Sequence, residues 1–209
     1  MKRIAVLALG LAACGETTQK PAVAKPPPPE LVQVEAVRWL PAEDGVVYAY
    51  ETRDLVTGAK GVLTLRARRV SPTLVDLVGP RHTEHLEYRA DGIMRVTEGT
   101  FLVKTPLAQG TTWTGGPNAS FAVGRVGASV KVPAGDFDRC AEIVESRGGA
   151  IRGTVTTTFC ADVGIVRMET QGVAEGGKTT VHETLELTSY GKAVDIGAPG
   201  LTKTEVKPR

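Results

Sequence analysis

From Val34 onward, apolar and polar residues recur in short runs with a period of two. Gly61-Val-Leu-Thr-Leu-Arg-Ala67 sets Leu63 and Leu65 on one face and Thr64 and Arg66 on the other. That alternation belongs to a half-buried strand. Val46–Arg53, Thr73–Val78, His82–Arg89, Ile93–Thr97 and Phe101–Lys104 read the same way, and Asp91-Gly92 marks a hairpin turn between two of them. In the second half the runs are Phe121–Val126, Ala128–Val132, Arg139–Glu145, Ile151–Phe159, Ile165–Thr170 and Thr179–Tyr190. Gly, Asp, Asn or Pro separates nearly all of them, and no window sustains a 3.6-residue period. The pattern predicts an all-β domain over 34–190, a single curved antiparallel sheet or open β-barrel with little helix. The stretch 191–209, with Gly, Pro and Lys, reads as a flexible tail.

One hairpin is constrained further. If Arg139–Glu145 and Ile151–Phe159 fold back at Gly148-Gly149-Ala150, Ala141 faces Phe159, Ile143 faces Thr157 and Glu145 faces Val155. Ala141, Ile143, Val155 and Phe159 then collect on one side, while Cys140 meets Cys160 on the other. A disulfide there would contribute roughly 3 kcal/mol on loop-entropy grounds. Two buried free thiols or half a metal site are the alternatives. Neither Cys has a close Cys or His neighbour in sequence, which counts against a metal.

The N-terminus has a different texture. Met1-Lys2-Arg3 is basic, Ile4 to Ala13 is apolar and small, and Cys14 follows with Gly15 behind it. A spanning helix needs about 20 apolar residues; this run is half that length and suits the apolar core of a cleaved leader. Leu11-Ala12-Ala13-Cys14 resembles the lipobox of a bacterial lipoprotein signal peptide. The resemblance implies removal of residues 1–13, lipid attachment to Cys14 and acylation of the new amino terminus. It places the chain in the cell envelope, held to the membrane by its lipid. Gly15, in place of Asp, points to the outer membrane facing the periplasm. Residues 14–33 read as a tether, because Pro26-Pro-Pro-Pro29 favours polyproline II and a semi-rigid spacer.

Loss of Lys2 and Arg3 leaves 23 basic residues against 23 acidic ones. A neutral chain lacks the electrostatic footprint for nucleic acid. About 175 residues remain beyond the tether, enough for one substantial core. An envelope address is also an oxidising one, where a disulfide persists.

Val132-Pro-Ala-Gly-Asp-Phe137 and Ala161-Asp-Val-Gly-Ile-Val166 resemble segments of uncharacterised bacterial envelope lipoproteins with a curved antiparallel sheet or open barrel. Asp162 here replaces a Pro-Gly of that pattern, and Cys160 stands where a Tyr is common. The resemblance implies a fold and no activity. Locally, Pro133-Ala134-Gly135 suits a tight turn.

Candidate chemistry is sparse. His82, Glu84, His85 and Glu87 are the only clustered metal-type ligands. On a strand they split into two pairs on opposite faces, which cannot close round one ion. His182 falls opposite Val181, Leu185 and Leu187, toward solvent. There is no Gly-x-Ser-x-Gly nucleophile, and the glycines of Gly172-Val-Ala-Glu-Gly-Gly177 read as a turn between strands. Trp39 and Trp113 read as core or rim residues. We therefore expect no catalytic residue, no metal and no cofactor. The expected function is a non-catalytic module binding an envelope protein or an apolar molecule in a groove that includes Val46, Tyr48 and Tyr50. A structural spacer of an envelope assembly is the alternative. A second alternative is an envelope hydrolase, which would require the histidines to gather with an acid in a cleft.

Overall fold

A computed structural model describes residues 27, 29–116, 118–149, 151–174 and 179–192. The lipobox with Cys14, nearly all of the tether, Ala150 and the tail from 193 lie outside the described residues.

Among the described residues, twelve antiparallel strands form one barrel-like sheet. They are β1 (Val46–Asp54), β2 (Lys60–Arg69), β3 (Leu74–Val78), β4 (Thr83–Arg89), β5 (Gly92–Arg95) and β6 (Thr100–Lys104), followed by β7 (Thr112–Gly115), β8 (Ala119–Val132), β9 (Gly135–Arg147), β10 (Ile151–Cys160), β11 (Gly164–Ala174) and β12 (Thr179–Lys192). Each strand pairs with the next along the chain, except across one seam between β6 and β7. The circuit closes instead through β1 and β12, where Val46 pairs with Lys192 and Asp54 with Glu183. At the seam, side chains take over from backbone bonds. The Trp113 indole N–H donates to the Phe101 carbonyl at 2.9 Å. Thr100 sits against Gly115, where a Cβ would collide with its hydroxyl and with the Phe121 ring.

Alternation fixes what faces inward. Tyr48 and Tyr50 of β1 pair with Leu65 and Leu63 of β2. Val75 and Leu86, Tyr88 and Ile93, and Thr157 and Ile143 are further opposed inward pairs. The β9–β10 register is the one expected from the apolar pattern: Cys140 opposes Cys160, Ala141 opposes Phe159 and Glu145 opposes Val155. Cys140 and Cys160 form a disulfide with a Cα–Cα distance of 4.0 Å.

Two details of the strand reading change. β8 is a single strand spanning the two runs read as Phe121–Val126 and Ala128–Val132. Register shifts between Val123 and Val130 absorb Gly124 and Gly127 as bulges, not as a turn. β7 has only four residues, Thr-Trp-Thr-Gly, too few to show a period.

In a meander, successive turns alternate between the two ends. One end is closed by the N-terminal segment, which among the described residues makes a 3-10 turn at Glu35–Arg38. Leu31, Ala36, Trp39, Leu40 and Ala42 are all buried there. The packed structure thus begins ahead of residue 34. Val32 N–H donates to Pro72 O at 2.7 Å, and Asp162 N–H to Arg38 O at 2.7 Å. The buried Tyr88 hydroxyl donates to Leu40 O at 2.6 Å. Gly164 has φ +111°, and a Cβ there would lie 2.9 Å from Leu40 Cδ1. Only glycine lets the plug seat so closely in that backbone conformation.

Candidate binding cavity

The opposite end is not filled. A cavity of about 310 Å³ lies between the inner faces of β2, β3, β6 and β11. Leu63, Leu65, Leu77, Leu102, Ile165 and Met168 line its walls. The turn Gly79–His82 forms its mouth. Period two explains the lining: the alternation that exposes Arg66 turns Leu63 and Leu65 inward. The volume is at the low end of the ~300–1,000 Å³ usual for ligand sites, so it suits a single chain or small molecule.

Three charged side chains join this apolar wall: Glu84 from β4, Arg95 from β5 and Arg81 from the turn at the mouth. Arg95 opposes Leu86, placing it two residues along the barrel from Glu84 on the inner face. Arg95 Nε and Glu84 Oε1 are buried and have no hydrogen-bond partner among the described residues. The Arg95 guanidinium reaches Glu145 only at 3.7 Å. The other Glu145 oxygen accepts from Arg147 Nε at 2.5 Å. A depression of about 420 Å³, containing Thr100, Glu145 and Arg147, also borders Arg95. The Thr100 hydroxyl is likewise buried without a partner.

Val46, Tyr48 and Tyr50, expected to line a groove, do face inward but are packed into the core. The Tyr50 hydroxyl donates to Ile165 O at 3.1 Å, and burial pushes the pKa of the Tyr48, Tyr50 and Tyr88 hydroxyls well up. The cavity wall is Leu, Ile and Met instead, with no Phe, Tyr or Trp among its lining residues. Trp39 and Trp113 are buried, and Trp113 stacks on Phe121 with centroids 5.3 Å apart.

The histidines are separated. His82 sits at the cavity mouth, 3.6 Å from Glu84 Oε2. His85 points outward, with Nδ1 2.7 Å from Asp76 Oδ1. Arg68 donates to the other Asp76 oxygen through Nε and a terminal nitrogen. Burial raises the Asp76 pKa, but the bonds from Arg68 and His85 outweigh it and hold the carboxyl below its usual value. His182 lies on the outer face of β12, with Nε2 2.9 Å from Glu169 Oε1. Bonds from Gln171 and His182 hold the Glu169 carboxyl below its usual range. Three strands separate β4 from β12, so His82 and His85 do not meet His182. Cys140 and Cys160 lie near the closed end, apart from this cavity.

A depression of about 670 Å³ also crosses the outer face, along the partner row Ser120, Ser146, Thr154 and Gln171. None of its lining atoms is a buried polar atom lacking a partner.

No family model matches this chain, and no curated protein matches it. Among solved structures, it is similar to a protein from Bacteroides fragilis described as exported, with a YmcC-like fold, at 12% identity. The match covers 72% of this chain and 97% of that one, with a TM-score of 0.43. A protein from Parabacteroides distasonis described as a lipoprotein matches at 14% identity, over 72% of this chain and 96% of that one, with a TM-score of 0.41.

Proposed function

We propose that this protein is a lipid-anchored, non-catalytic binding module of the bacterial cell envelope, and that it takes an apolar chain into its barrel. The observation that carries the reading is the apolar cavity among Leu63, Leu65, Leu77, Leu102, Ile165 and Met168 at the end away from the plug. The leader supplies the address: Leu11-Ala-Ala-Cys14 is the pattern on which a lipoprotein is cut and acylated. Several acyl chains at Cys14 anchor stably, where one holds only marginally. The first described residues join the barrel at its plugged end, opposite the mouth of the cavity.

All buried core residues among those described lie between Leu31 and Leu187. A chain beginning at Pro27 therefore carries the barrel and its plug. Titrating that chain with a fluorescent fatty acid tests the reading. Saturable uptake, competed by unlabelled fatty acid and weakened by Leu77→Trp, is the expected outcome. Absence of saturable uptake removes the apolar-chain reading. For the anchor, Cys14→Ser in the full chain is expected to abolish labelling by radioactive palmitate and to release the protein from the membrane fraction.

A further inference from the structure

We propose that the cavity is built for a zwitterionic amphiphile: a single acyl chain whose head carries an anionic group for Arg95 and a cationic hydrogen-bond donor for Glu84. This deepens the apolar-chain reading and rests on it. Glu84 Oε1 and Arg95 Nε are buried, line one apolar cavity and lack partners among the described residues. Leaving a buried polar atom without a partner is costly, and more so when it is charged. Opposite charges two residues apart on adjacent strands have an evident remedy in each other. No ion pair joins Glu84 and Arg95, however; Glu84 faces His82 and Arg95 faces Glu145.

The sign of the ligand follows from what surrounds each group. A purely anionic head would gain Arg95 but approach the carboxylates of Glu84 and Glu145. A purely cationic head would gain Glu84 but approach Arg95, with Arg81 also lining the cavity. A head bearing both charges meets both groups and buries no net charge. The Thr100 hydroxyl, in the adjoining depression beside Arg95, offers a further unpaired partner to the anionic part. Arg suits this position because its planar fork recognises carboxylate and phosphate alike.

The test is isothermal titration of the chain beginning at Pro27 with four lauroyl or dodecyl probes below their micellar concentrations. These are lysophosphatidylethanolamine, dodecanoate, dodecylammonium and the uncharged monoacylglycerol. The zwitterionic probe is expected to bind about tenfold or more tighter than the others, the equivalent of one charged hydrogen bond. Arg95→Gln is expected to erase its advantage over dodecylammonium, and Glu84→Gln its advantage over dodecanoate. Equal affinity of the four probes for the unaltered protein overturns the proposal but leaves the apolar-chain reading standing. Binding of none of them overturns both. The probe series needs no variant, so a folding defect in Arg95→Gln cannot obscure the result.

Discussion

The two ends of the barrel differ in how fully their interior is filled. At the plugged end, the Tyr88 hydroxyl, the Arg38 carbonyl and the Pro72 carbonyl all have partners, and Leu40 is packed against Gly164. At the open end, an arginine, a glutamate and a threonine each bury an unpaired atom beside empty space. The contrast is not one of apolar against polar, since both ends contain both. It lies in packing: Trp39 Nε1 in the plug and Arg69 Nε beside it are also buried without a partner, but the plug is filled around Leu40, whereas Glu84 and Arg95 border a cavity. Stability is concentrated where the interior is filled; binding capacity is left where it is open.

Truncating a side chain at each end breaks the comparison most directly. Leu40→Ala is expected to cost about 2–5 kcal/mol, because it opens a hole in a filled core. Leu63→Ala borders space that is already open and is expected to cost about 1 kcal/mol or less by the transfer term alone. Denaturant unfolding of both variants checks this, and equal losses would mean that the open end is packed as firmly as the closed one. Removing the disulfide with Cys140→Ser and Cys160→Ser together is expected to cost about 2–4 kcal/mol. Thermal melts of this double variant with and without reductant should show no further loss on reduction.

Tyr88→Phe strips the Leu40 carbonyl of its donor and keeps the ring. About 1–2 kcal/mol is expected, with faster amide exchange in the plug at 31–42 as the specific readout. The smallest effect concerns the outer face. The Asp76 carboxyl is held below its ordinary value of about 4 by Arg68 and His85. Its contribution is therefore complete above that value and is lost as pH falls through the lowered folded-state pKa. Asp76→Asn is expected to cost about 1 kcal/mol at neutral pH and to remove part of the acid-induced loss. Stability measured from pH 7 to pH 3 checks it; an unchanged acid limb would show that Asp76 is not a source of that loss.

Much of this architecture is legible as period two. Leu63 and Leu65, the Asp91-Gly92 turn and the 140–160 register all follow from which residues share a face. β7 and the length of β8 do not: four residues carry no period, and glycines at bulges look like glycines at turns. Val46, Tyr48 and Tyr50 show the limit of facing alone, because an inward residue lines a cavity only where the core beneath it is unfilled. The site residues were hidden for another reason. The register that pairs Glu145 with Val155 already sets that glutamate on the apolar face, and the Asp91-Gly92 hairpin sets Arg95 opposite Leu86. Charge favours exposure, yet the alternation places these side chains inside. A charged residue in phase with an apolar face is the signal that finds them.

The seam between β6 and β7 has a consequence for assembly of the fold. Hydrogen-bonded pairing joins β1 to β12, so the closing ladder links Val46 to Lys192, nearly the whole domain apart in sequence. Strands adjacent in sequence at the seam share no ladder. A circular permutant opened in the 105–111 loop, with its old termini linked, would pair every strand with its sequence neighbour alone. Lower contact order speeds folding, so such a rearranged chain should reach the same barrel sooner than the natural one.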